Sequence, residues 1–118
     1  MEYVYHMLDP KRALLFLQDL HRELIGIVLD SGVIFLLDNK DTDWYVFVKS
    51  AESLTRQDAA HIEALLTERG ERSEYSLEEL STHPNKAFMS SGTPEQIMAS
   101  LDAFGEKQRE IRAKIQLN

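Results

Sequence analysis

Apolar residues recur along this chain with two different periods. From Ala13 to Ile25 they fall at Ala13, Leu14, Leu17, Leu20, Leu24 and Ile25, recurring at steps of three and four that draw one stripe along a helix. Asp9 stands where a side-chain oxygen is needed to cap free first-turn amides. Pro10, with no N–H to leave unsatisfied, suits the first helical position. Gly26 supplies a stop, so a first helix is predicted from Pro10 to about Leu24. Ahead of it, Tyr3, Val4 and Tyr5 form either a short edge strand or a packed extension.

The pattern then changes. Ile27–Leu29, Val33–Leu37 and Trp44–Val48 are short apolar runs, rich in β-branched and aromatic residues. They are separated by Asp30-Ser31-Gly32 and by Asp38-Asn39-Lys40-Asp41-Thr42-Asp43, and that alternation of run and turn predicts a three-stranded antiparallel meander. The second and third runs are apolar at every position, which implies cover on both faces, by helices on one and by more helix or a second subunit on the other.

Helical spacing returns after residue 54. Thr55-x-x-Asp58 opens a helix carrying Ala59, Ile62, Leu65 and Leu66 that ends at Gly70. Ser76-x-x-Glu79 opens a shorter one that stops before Pro84. Lys86–Ser91 reads as a candidate fourth strand. Gly92-Thr93-Pro94-x-Gln96 then stacks a break, a cap, an N1 proline and a box glutamine, starting a helix that runs to about Ile115. In it Ile97, Leu101, Phe104, Gln108, Ile111 and Ile115 alternate steps of four and three, a heptad seam that packs either on the sheet or on a partner helix. The expected fold is therefore α+β in one domain over residues 1–118: an N-terminal helix, the meander with its candidate fourth strand, then helices, the long last one packed on the sheet. Its predicted core is Leu14, Leu17, Leu20, Val33, Phe35, Trp44, Val46, Ile62, Leu65, Ile97, Leu101 and Phe104.

This order of elements, in an acidic chain, resembles that of the small type III secretion chaperones, which implies a dimeric chaperone or adaptor holding an unfolded segment. In that family the stretch corresponding to Arg72–Ser91 supplies further strands, whereas Ser76–Thr82 here reads as helix.

Charge changes the picture more than composition does. The formal net charge is −7, of which residues 38–83 carry −6, with eleven acids against five bases. Such a domain repels nucleic acid and anionic membranes and attracts a basic partner, although charge of this size also serves solubility alone. Candidate contact residues are Asp38, Asp41 and Asp43 in the meander turn and Glu71, Glu74, Glu78 and Glu79 around the short helix. Acids one helical turn apart approximate the spacing of backbone phosphates, as in a nucleic-acid mimic.

Catalytic signatures are missing from the sequence. Five glycines show neither GxGxxG nor GxxxxGK spacing. There is no GxSxG or HExxH, and the turn from Asp38 lacks the alternate oxygen ligands and the sixth-position glycine of a calcium loop. His6, His21, His61 and His83 are too scattered for a local metal site, and without cysteine there is no disulfide, thiolate site or thiol nucleophile. The expectation is a non-enzymatic cytoplasmic protein without cofactor or metal, a monomer or homodimer. It would contact neither nucleic acid nor membrane directly, but mask a basic surface on a nuclease, toxin or DNA-binding protein, in the manner of an inhibitor, immunity protein or DNA mimic.

Overall fold

A computed structural model of the chain describes residues 1–37 and 42–116, with side-chain surroundings for all of these except 42 and 108–116. Its elements are β1 (Glu2–Met7), α1 (Pro10–Glu23), β2 (Asp30–Leu37), β3 (Thr42–Lys49), α2 (Arg56–Arg69), β4 (Gly70–Arg72), α3 (Leu77–Ser81), β5 (Lys86–Ser91) and α4 (Pro94–Gln116). The fold is α+β: five antiparallel strands in the order β4-β1-β3-β2-β5, and four helices.

The caps read from the sequence are made. Asp9 accepts from the amide of Arg12, and Thr55 from that of Asp58. Ser76 and Glu79 form a complete capping box, and Thr93 and Gln96 exchange the same reciprocal pair of bonds at the head of α4. Each satisfies amides that the first turn leaves without a partner.

Three features differ from expectation. The chain begins with a strand rather than a helix, and β1 is interior, paired along Glu2–Met7 with β3 on one side and with β4 on the other. Ile27–Leu29 is not a strand. It is the return loop from α1, in which Val28 is 91% exposed, so the third strand expected of the meander is supplied by β1 instead. β4, three residues of low strand propensity, was not expected at all. It pairs because α2 ends beside the free edge of β1.

Side chains alternate across the sheet and make two cores. On one face Met7, Val33, Val46 and Val48 pack under α1 (Ala13, Phe16, Leu17, Leu20), α2 (Ile62, Leu65, Leu66) and the start of α4 (Ile97). Complete burial of residues such as Phe16, Met7 and Leu17 contributes about 1.5–3 kcal/mol each, so this helical face is the principal source of stability. The other face buries Ile34, Leu36, Tyr45 and Phe47 with only Leu80 of α3, flanked by Val4, Tyr75 and Leu77. The uninterrupted apolar runs of β2 and β3 are thus covered on both sides within one chain, the second cover being a five-residue helix. At Gly32 a Cβ would press on the Ser90 carbonyl and lie 2.6 Å from the Phe47 ring, so glycine is what lets that ring cross β2.

Of the predicted core, Leu14, Trp44, Leu101 and Phe104 are only half-buried. Phe104 nevertheless sits against Phe35 and Phe88, with ring centroids 5.9 and 5.1 Å away, and fixes the first half of α4 on the sheet.

Candidate functional site

On the thinly covered face the strand register lays one row across all five strands: Glu71, His6, Tyr45, Ile34 and Met89. The row is polar at the β4 edge and apolar at the β5 edge. His6 and Tyr45 stack at 5.0 Å, and the imidazole Nε2 of His6 donates to Asp43 Oδ1 at 3.2 Å. Tyr75 meets Tyr45 edge-on at 6.2 Å, and His83 meets Tyr75 edge-on at 5.5 Å, extending the aromatic line beside α3.

Carboxylates from separate elements gather around this line. Burial first, then the charge of Asp43, the neighbouring Tyr75 and the charge of Glu74, push the Tyr45 hydroxyl up to about 12. Asp43 and Glu74, thirty-one residues apart in the chain, are therefore close enough to act on one phenol. Glu71 lies directly across from His6. Glu2 projects from β1 to the same side, where its Oε1 accepts the Leu77 amide at 3.1 Å and tethers the start of α3.

The expected contact residues separate into three groups. Asp38 and Asp41 lie outside the described residues. Asp43, Glu71 and Glu74 are brought to one face, with Glu78 exposed on the first turn of α3 beside them. Glu79 has another task, since its carboxylate accepts the Ser76 amide at 3.1 Å and completes the cap of α3. Sequence reasoning did not pick out Glu2, His6, Tyr45 or Tyr75 for this face. The only local signal was the alternation Glu2, Val4, His6 against Tyr3, Tyr5, Met7 within β1. The ion pairs among the described residues involve Asp19, Glu23, Asp43 and Glu68, so Glu2, Glu71, Glu74 and Glu78 face solvent without a cationic side chain bound to them.

The other histidines serve structural contacts. His21 Nε2 shares a hydrogen bond with the buried Ser31 hydroxyl at 3.2 Å, His61 lies 3.6 Å from Glu23, and His83 Nδ1 accepts the Asn85 amide. Among the described residues no three His, Asp or Glu side chains are placed to hold a metal ion, and no helix is long and apolar enough to cross a membrane.

Apolar surface is concentrated elsewhere. On the helical face a groove of about 570 Å³ runs between α1 and α4 over Trp44. At the far end of α1 the return loop carries Ile25, 83% exposed, and Val28.

Fold and surface together define a small α+β domain with an acidic, aromatic-lined sheet face and an apolar groove on the reverse. Compared with known proteins, the chain matches no family model, no curated protein and no solved structure.

Proposed function

We propose that this chain is an acidic protein-binding module whose β4–α3 side masks a basic surface on a partner protein, of the inhibitor, immunity-protein or nucleic-acid-mimic kind. The observation that carries this reading is the convergence of Asp43, Glu71, Glu74 and Glu78, from three elements and a loop, on one face. Among the described residues Glu71, Glu74 and Glu78 have no cationic side chain bound to them, and such carboxylates create a local negative potential that a cationic partner relieves. Tyr75, half-buried behind them, adds rigid amphipathic area of the sort enriched at interfaces.

The test is the variant Glu71→Lys/Glu74→Lys/Glu78→Lys, with Glu79 left intact because it caps α3. Tagged wild-type chain should retain a basic protein from lysate at low salt and release it at moderate salt, as expected of contacts between exposed charges. The variant should lose that partner while keeping its thermal midpoint within a few degrees. Undiminished capture by a folded triple variant would sink the masking function.

A second reading, the dimeric acidic chaperone or adaptor, is favoured by Ile25 and Val28, apolar side chains presented to solvent by a loop that does not need them for packing. It calls for a partner retained through high salt and lost on Ile25→Ser/Val28→Ser.

A further inference from the structure

We infer that two copies of this chain pair through α4, antiparallel, each laying the second half of its helix into the other's α1–α4 groove. Four observations converge on a second copy as the occupant.

The groove is the first. It is floored by Trp44, walled by Leu14 and Leu15 of α1 and by Met98, Leu101 and Phe104 of α4, and Leu15 and Met98 are 40% and 39% exposed. A trough with two helical walls and an apolar floor has the form that receives the apolar stripe of a third helix. Second, α4 carries such a stripe itself. Its helix extends to Gln116, and the seam of Ile97, Leu101 and Phe104 continues in the sequence as Gln108, Ile111 and Ile115.

Charge complementarity is the third. Residues 94–106 of α4 hold three acids (Glu95, Asp102, Glu106) and no base. Residues 107–116 hold four bases (Lys107, Arg109, Arg112, Lys114) and one acid. A helix divided in this way opposes itself when parallel and complements itself when antiparallel, because each basic half then lies along the other copy's acidic half. The same arrangement sets the two helix dipoles head to tail.

The fourth is Gly105. Glycine inside a helix costs about 1 kcal/mol relative to alanine. Among the described residues nothing requires it, since a Cβ there would meet no atom of them within 4 Å. Gly105 borders the groove and is the midpoint of α4, the residue that lies on the two-fold axis when two such helices cross centre to centre. A missing side chain at the crossing point lets the two backbones approach closely. About that axis residue i faces residue 210 − i, which sets Arg112 of one copy opposite Met98 of the other.

This pairing uses the helical face and leaves the acidic face open on both copies, so it stands or falls independently of the masking function. Light scattering on the full chain at micromolar concentration should give twice the 13.6 kDa mass. Because the chain has no cysteine, orientation is read by mixing two single-cysteine variants, Met98→Cys and Arg112→Cys, under mild oxidation. The mixture should cross-link between the two variants and not within either. Charge reversal by Arg109→Glu/Arg112→Glu should raise the dissociation constant about tenfold or more, and adding Glu95→Arg/Asp102→Arg should restore it. Met98, Glu95 and Asp102 are exposed, so their exchange leaves the described core intact. A mass of 13.6 kDa, Met98–Met98 cross-links, or a dimer indifferent to both charge sets overturns the inference.

Discussion

Tyr45 occupies the point where both halves of the sheet's thin face meet, apolar toward Ile34 and acidic toward Asp43 and Glu74. Its phenol resists ionisation, pushed up to about 12 from an ordinary value of 10.0, and burial weighs more than charge. The linkage has a definite sign. The unfolded chain begins to ionise Tyr45 near pH 10 and the folded chain only near 12, so the contribution of Tyr45 to stability is constant below about 10 and falls between those values. Denaturant midpoints measured from pH 8 to 12 should decline over the upper half of that range, and Tyr45→Phe should flatten the decline. Tyr3, raised in the same direction by burial and by Glu63, leaves a smaller residual slope. Gly32 makes the complementary case of a residue defined by what it lacks. Gly32→Ala must displace the Phe47 ring or the β5 backbone, an overpacking expected to cost about 1–3 kcal/mol in chemical denaturation.

Elements differ in how much of each is local. The helix starts at Asp9, Thr55, Ser76 and Thr93 were legible because a cap needs only residues three apart, and each is made as read. α3 depends on its cap most, being too short to hold as an isolated helix. Ser76→Ala should therefore cost about 1 kcal/mol, whereas Glu78→Ala, which removes only an exposed carboxylate, should leave the midpoint nearly unmoved. Leu80→Ala, which removes the one α3 side chain fully buried in the thin-face core, should cost about 2–5 kcal/mol by the same assay. The strands were less legible because their partners are remote. The Tyr3–Tyr5 run could be an edge strand or an extension until β3, some forty residues on, is seen to pair with it. Gly70-Glu71-Arg72 carries no strand signal and pairs only because the chain emerges from α2 at that place. Ile27–Leu29 misled for the opposite reason: three apolar residues suffice for a strand pattern, yet here they span the gap between α1 and β2. The candidate site was legible to the same degree. Its acids were visible as composition, but the convergence of Asp43 with Glu71 depends on the order β4-β1-β3, which no spacing announces.

For the molecule as a whole, the acidic cluster around α3 and the apolar α1–α4 groove lie on opposite sides of one sheet. The acidic side is set by side chains that contribute little to the core, so its electrostatics and the fold's stability should be separable. Each Glu→Lys exchange adds two charges, so the variant at positions 71, 74 and 78 moves the formal net charge from −7 to −1. That variant should lose solubility near neutral pH, where little net repulsion remains, while urea unfolding keeps its slope and midpoint. A solubility minimum still near the wild-type isoelectric point of about 5.0 would show that these three carboxylates do not dominate the field.

The tether from Glu2 to the Leu77 amide has a consequence in time as well as in space. α3 is the thinnest part of the cover, closed by buried Leu80 and half-buried Leu77, a capping box, a bond from Lys86 Nζ to the Ser81 carbonyl and a carboxylate from the second residue of the chain. An element held by so few contacts opens far more often than the sheet beneath it unfolds. Amides of residues 79–82 should exchange with solvent hydrogen well before those of β2 and β3, in a common phase with each other. Each opening uncovers Ile34, Tyr45 and Phe47, side chains on adjacent strands with the character that nucleates intermolecular sheet. The shelf life of the folded protein at high concentration should therefore follow the rate at which a five-residue flap swings, rather than the depth of its larger core.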